Sequence, residues 1–146
     1  MIRFGFIIGL LCTALGCGND ETTSDLSGSV SRVYSLSFDT TRSLMTEDEL
    51  AIQYIDNGAV ILQIVINRGQ VGELEAGTYD LGMVGTVVGD RPEASLPDFV
   101  SGQVTLSTFS NSDGAAIEGS FAATVETSNN QYSVVGQFAN QLTLVP

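Results

Sequence analysis

Apolar and polar residues alternate with a period of two along most of this chain, the signature of extended segments with one face in a core. Val30, Tyr34, Leu36 and Phe38 share one face of a stretch whose other face is Ser31, Ser35, Ser37 and Asp39. Leu50, Ile52 and Tyr54 alternate with Ala51 and Gln53 and run into Asp56-Asn57-Gly58. That turn tolerates positive φ and predicts a tight hairpin. The return strand, 59–67, is apolar on both faces (Val60, Ile61, Leu62, Ile64, Val65, Ile66), which predicts a central strand covered on two sides. Residues 77–81 and the Gly/Val-rich stretch 82–88 predict two strands around a bend. Residues 89–98, with two of the three prolines, predict the longest loop. In the last third, Val104 and Leu106, then Ile117, Phe121, Ala123 and Val125, then Tyr132, Val134, Phe138, Leu142 and Leu144 mark three more strand regions. Asn111–Gly114 and Ser128–Asn130 form the turns between them. Met45–Ala51 is the best helical candidate, with Thr46 as N-cap and Glu49 three residues on, and predicts at most one turn. The expected fold is all-β: an antiparallel β-sandwich or barrel-like sandwich of about eight to ten strands.

An internal echo accompanies this pattern. Ile117-Glu118-Gly119-Ser120-Phe121-Ala122 matches Val134-Val135-Gly136-Gln137-Phe138-Ala139, and Gly85 and Gly102 fall on the same spacing. It reads as a repeated strand-and-turn unit of a meander in which glycine relieves crowding beside a bulky core residue, or as unrelated strands of similar composition.

The alternation is absent only at the start. Arg3 precedes an apolar run, Phe4–Leu11, with the layout of an export signal and too short to span a bilayer as a mature helix. The run ends in Ala14-Leu15-Gly16-Cys17, which resembles the lipobox of bacterial lipoproteins. The resemblance implies that Cys17 is the lipid attachment residue and the new N-terminus, anchoring the protein to a membrane through acyl chains. The expected organisation is a signal peptide over 1–16, a flexible acidic tether over 17–28 and a β-sandwich domain over 29–146. Cys12 leaves with the signal, so no cysteine remains for a disulfide. Gly18-Asn19 lacks an aspartate directly after the cysteine. Under the enteric sorting rule that points to export to the cell envelope and anchoring in the outer membrane. Ser101-Gly102-Gln103-Val104-Thr105-Leu106, with Gly119-Ser120-Phe121-Ala122 and Gly136-Gln137-Phe138, also resembles small envelope lipoproteins of Gram-negative bacteria. That likeness implies an exported β domain and transfers no catalytic or ligand residue.

Charge and inventory narrow the chemistry. The net charge is −12, with 17 carboxylates, five arginines, and neither histidine nor lysine. Such a surface repels nucleic acid and anionic lipid headgroups, so no nucleic-acid partner is expected and acyl chains are the expected membrane link. Without histidine there is no Ser-His-Asp or Cys-His system and no usual zinc site; without lysine there is no Schiff base. No cofactor or metal site is expected, and no catalytic residue is assigned.

Carboxylates are what remain. Glu73, Glu75, Asp80, Glu118 and Glu126 are the candidates for a two-carboxylate glycoside hydrolase. Glu47-Asp48-Glu49, Asp56-Asn57 and Asp90/Glu93/Asp98 are oxygen-rich stretches for calcium, none with the EF-hand spacing. A barrel enclosing an apolar ligand is a further alternative, which strand 59–67 could line. The leading expectation is a non-enzymatic, lipid-anchored binding or structural module. Its edge strands or 89–98 loop would contact an envelope protein or polysaccharide.

Overall fold

A computed structural model of the chain describes residues 23–146; the signal, Cys17 and the first part of the tether lie outside the described residues. Eleven strands occur among the described residues. They are β1 (Asp25–Ser27), β2 (Thr40–Met45), β3 (Glu49–Asp56), β4 (Ala59–Asn67), β5 (Gly77–Asp80), β6 (Gly85–Val88), β7 (Asp90–Arg91), β8 (Ala94–Ser95), β9 (Asp98–Thr108), β10 (Ala116–Glu126) and β11 (Gln131–Leu144). Two single helical turns, α1 (Arg68–Val71) and α2 (Leu81–Val84), connect them, and a 3-10 turn spans Ser29–Arg32. Eight strands, ordered β5-β9-β10-β11-β2-β3-β4-β6, curl into a nearly closed barrel; β7 and β8 form a separate small sheet. The chain is all-β, and the barrel-like form of the expected architecture is the one present.

Neighbours in the barrel pair antiparallel except β11 and β2, which run parallel over Leu142–Leu144 and Ser43–Met45. The end strands β5 and β6 are joined directly by α2, whose first turn is capped by Asp80 Oδ1 accepting from the Gly82 amide at 2.8 Å. The two strands expected around a bend over 77–88 are β5 and β6, and the bend between them is this helical turn.

The β3–β4 hairpin follows the sequence closely. Asp56 pairs with Ala59 across Asn57 (φ 52°) and Gly58 (φ 81°), both in the left-handed region that this two-residue turn requires. On β3, Leu50, Ile52 and Tyr54 enter the barrel. On the outside, Gln53 is only 8% exposed. Its amide is satisfied on both sides: Arg42 Nε donates to its Oε1 at 2.6 Å, and its Nε2 donates to Gln63 Oε1 at 2.5 Å.

The internal echo has a structural meaning. β10 and β11 pair so that Gly119 faces Phe138 and Phe121 faces Gly136. Each ring lies over the glycine of the opposite strand: a Cβ on Gly119 would meet Phe138 Cζ at 2.7 Å, and one on Gly136 would meet Phe121 Cε1 at 2.7 Å. The repeated Gly-x-Phe is thus a reciprocal pair of ring-over-glycine contacts within one hairpin. Tyr54 sits 6.1 Å from Phe121 and edge-on to Phe38 at 5.0 Å, and its hydroxyl donates to the Gln137 carbonyl at 2.6 Å. Tyr54, Phe121 and Phe138 occupy the barrel interior, with Phe38 packed partly buried against them. Fully burying a side chain of this size contributes on the order of 2–3 kcal/mol.

Two expectations of local structure are corrected, at 30–39 and in the tether, and the limit of at most one helical turn at 45–51 is kept. Residues 30–39 are not a strand: Val30 and Tyr34 are buried one turn apart, with the Tyr34 amide donating to the Val30 carbonyl at 2.9 Å. A spacing of four served a turn as well as it would have served an extended face. Met45–Ala51 holds no helix. Thr46 Oγ1 does accept from Asp48 and Glu49 amides, as a cap would, but the Thr46 amide donates to the Glu49 carbonyl and closes a β2–β3 hairpin. Burial of Leu50, Ile52 and Tyr54 on a sheet outweighs a few tenths of a kcal/mol of helix propensity. Finally, the polar stretch placed in the tether to residue 28 is already strand at Asp25. β1 pairs with β11, and Ser24 Oγ accepts from the Ala139 amide at 3.1 Å.

Candidate functional site

The carboxylates singled out for catalysis are distributed, not paired. Asp80 caps α2, and Glu73 and Glu75 are exposed between α1 and β5. Glu118 Oε1 is 3.5 Å from Thr108 Oγ1, and Glu126 Oε1 accepts from Gln131 Nε2 at 3.2 Å, the two glutamates standing near opposite ends of β10. Among the described residues no three His, Cys, Asp or Glu side chains converge as a metal ligand set. Of the calcium candidates, Asp56, Asn57, Asp90 and Glu93 line one open pocket of about 390 Å³. Asp98 lies at a different one, and Glu47–Glu49 belong to the β2–β3 turn and the start of β3.

The same pocket contains Arg91, whose role the sequence did not disclose. Its Nε donates to the Ser35 carbonyl at 2.9 Å, its Nη1 to Asp56 Oδ2 at 3.1 Å, and its Nη2 to the Ser37 carbonyl. The guanidinium also stands 5.8 Å from the centre of the Tyr34 ring. The arginine and aspartate side chains are 8% and 18% exposed. One planar cation thus ties the irregular segment 35–37 and the β3–β4 turn to the β7–β8 hairpin. The arrangement clamps loops through three of the five guanidinium N–H groups.

Tyr34 donates its hydroxyl to the Ile61 carbonyl beneath this clamp. Burial pushes its phenol from 10.0 up to about 12; Arg91 pulls the other way, while Asp90 and Glu93 add to the rise. Tyr54 is raised as well, through burial first and Asp25 second. Folded-state values above the unfolded ones mean that the unfolded chain releases these protons first. The stabilisation is complete below pH 10 and is lost as pH rises from 10 towards 12 and beyond. Urea midpoints are expected to hold from pH 9 to 10 and to fall from pH 10 to 12, less steeply in Tyr34→Phe. A flat profile contradicts this account.

The remaining feature is a seam in the barrel. β5 covers β9 only over Gln103–Leu106, so residues 98–102 pair with β10 on one side alone. β6 pairs only with β4. Across the gap, Thr86–Gly89 and Leu96–Phe99 line a cleft of about 290 Å³. α2 and β6 lie alongside this stretch of β9; Met83 on α2 is 73% exposed, Val88 47% and Val100 42%. Acidic residues stand at both limits of the open β9 segment, Asp98 at its start and Asp80 opposite Gln103. β9 has 11 residues and β5 has 4, so the β5 ladder ends partway along β9.

No family model, curated protein or solved structure matches the chain.

Proposed function

We propose that this protein is a lipid-anchored, non-enzymatic binding or structural module of the cell envelope, attached through acyl chains on Cys17. The observation that carries the reading is the form of the surface. The barrel interior is occupied by Tyr54, Phe121 and Phe138, while strand edges and loops remain accessible on the outside. A carrier needs the interior for its ligand, and a two-carboxylate hydrolase needs two acids facing across one cleft. Neither arrangement draws support from the positions of the side chains. β1 is fixed to β11 from Asp25 onward, so a lipid on Cys17 would hold the domain close to the bilayer. Residues 18–24 reach at most about 25 Å when fully extended.

The test is fractionation of cells expressing the full chain. The wild type is expected in the detergent phase and Cys17→Ser in the aqueous phase, and the lipidated form should retain an envelope partner after cross-linking. Equal partitioning of the two forms removes the anchor. Hydrolysis of envelope polysaccharide by the purified protein removes the non-enzymatic reading.

A further inference from the structure

We infer that the outer face of β2-β3-β4-β6 rests on the bilayer that holds the Cys17 lipid, meeting the interfacial region of zwitterionic lipids. The inference rests on the anchored-module reading and adds which side of the barrel faces the membrane. The strand registers define the face. Leu50, Ile52, Tyr54, Leu62, Ile64 and Ile66 turn into the core, so the alternate residues of these strands turn outward. Leu44, Ala51, Val65 and Thr86 form one row across the four strands, and Arg42, Gln53, Gln63 and Val88 form the next. Thr143 extends the first row onto β11. Ala51 and Gln53 are buried within the face, and Leu44 and Val65 are half-buried. Val88 is 47% exposed, and Arg42 and Thr143 are exposed. Strand 59–67 thus has two apolar sides, of which the barrel core covers one.

Charge sets this face apart. The chain carries 17 carboxylates, yet neither row contains one; Glu49 and Asp56 stand at the two ends of β3, beyond both rows. The one charge is Arg42, whose Nε donates to Gln53 Oε1 at 2.6 Å. Its terminal nitrogens suit a headgroup phosphate. The outward positions of β1, β5 and β10 instead include Asp25, Asp80, Glu118 and Glu126. Approach to a bilayer desolvates the side that faces it, which costs less on the first face than on the second.

The tether selects the membrane as the occupant. β1 leads back to Ser24, whose Oγ lies 3.1 Å from Thr41 Oγ1, next to Arg42 on β2. The tether therefore leaves the barrel at the border of this face. Residues 18–24 span at most about 25 Å, so the lipid enters the bilayer close beside it. Four strands and five residues of β2 give a footprint of roughly 20 by 17 Å, well short of the ~800 Å² per partner of a stable protein interface. A contact of this size suffices beside a covalent lipid, which keeps the face at high local concentration near the bilayer.

The experiment uses the lipidated protein extracted from membranes and reconstituted in phosphatidylcholine vesicles that contain lipids with a nitroxide quencher on the acyl chain. With Cys12 removed in the signal and Cys17 acylated, an introduced cysteine is the one free thiol to label. A fluorophore is placed at Thr143→Cys on this face or at Ser120→Cys on the outer face of β10; both positions are exposed. Quenching at position 143 is expected to exceed that at position 120 at least threefold. Val88→Asp should lower the quenching at position 143 at least twofold, with flotation on vesicles and the urea midpoint unchanged. Equal quenching at the two positions, or stronger quenching at position 120, overturns the inference. Either result leaves the anchored-module reading standing, because flotation reports the lipid separately. Energy transfer between labels at position 143 on sparsely loaded vesicles would assign the face to a second copy and overturn the inference too. Protein that does not float with the vesicles removes the anchor and this inference together.

Discussion

Replacing Gly119 with alanine is expected to destabilise the domain by about 3 kcal/mol and to lower its thermal midpoint by roughly 12 °C. The added methyl would lie 2.1 Å from the Thr105 carbonyl oxygen and 2.7 Å from Phe138 Cζ. Two different neighbours must therefore yield. The ring belongs to a side chain and has some freedom; the carbonyl belongs to β9, which pairs with β10 on either side of this point. Trimming the ring in Gly119→Ala/Phe138→Leu should recover only part of the loss, because the backbone contact persists. Ser120→Ala, next along the strand and exposed, should stay within about 0.5 kcal/mol of wild type. Urea unfolding of the three variants provides the comparison. A Gly119→Ala midpoint indistinguishable from that of Ser120→Ala contradicts the ring-over-glycine packing.

Arg91→Met should have the next largest effect, again about 3 kcal/mol. The substitution keeps an apolar stem but leaves the Asp56 carboxylate, 18% exposed, without its cation, and frees the carbonyls of Ser35 and Ser37. Arg91→Lys should recover little, since an ammonium cannot direct donors to three acceptors in one plane. Adding Asp56→Asn to Arg91→Met should restore part of the stability by removing the stranded charge. A double-mutant cycle measures that coupling. Strict additivity would show that the guanidinium acts through packing alone.

Much of the barrel was legible because its pattern is local. The Asp56-Asn57-Gly58 turn, the two-faced apolar strand 59–67 and the alternation in β10 and β11 each report a physical demand that a few neighbouring residues must meet. Elements decided by distant partners were read less well. Val30 and Tyr34 have strand-like spacing, yet they end in a turn, from which Tyr34 reaches the Ile61 carbonyl on β4 and Gly89. Thr46 and Glu49 carry capping chemistry that a hairpin uses equally well. The Gly-x-Phe echo was visible as a repeat, but its reciprocity depends on antiparallel register, which a linear comparison does not contain.

The candidate surface was harder still. Asp80 was singled out as a possible catalytic acid, and its carboxylate caps α2 at the limit of the seam. Arg91 lay inside the expected loop with nothing in its neighbourhood to mark it as a clamp. The seam itself is a mismatch between strands that meet only once the sheet has curled. No short window of sequence encodes that mismatch.

The central claim is that the barrel is held at a membrane by lipid on Cys17, and intact mass measurement of the membrane-extracted protein tests it most directly. The account predicts a chain beginning at Cys17 and carrying acyl groups on that residue. A mature chain with a free Cys17 thiol, or one cleaved at another position, would contradict it.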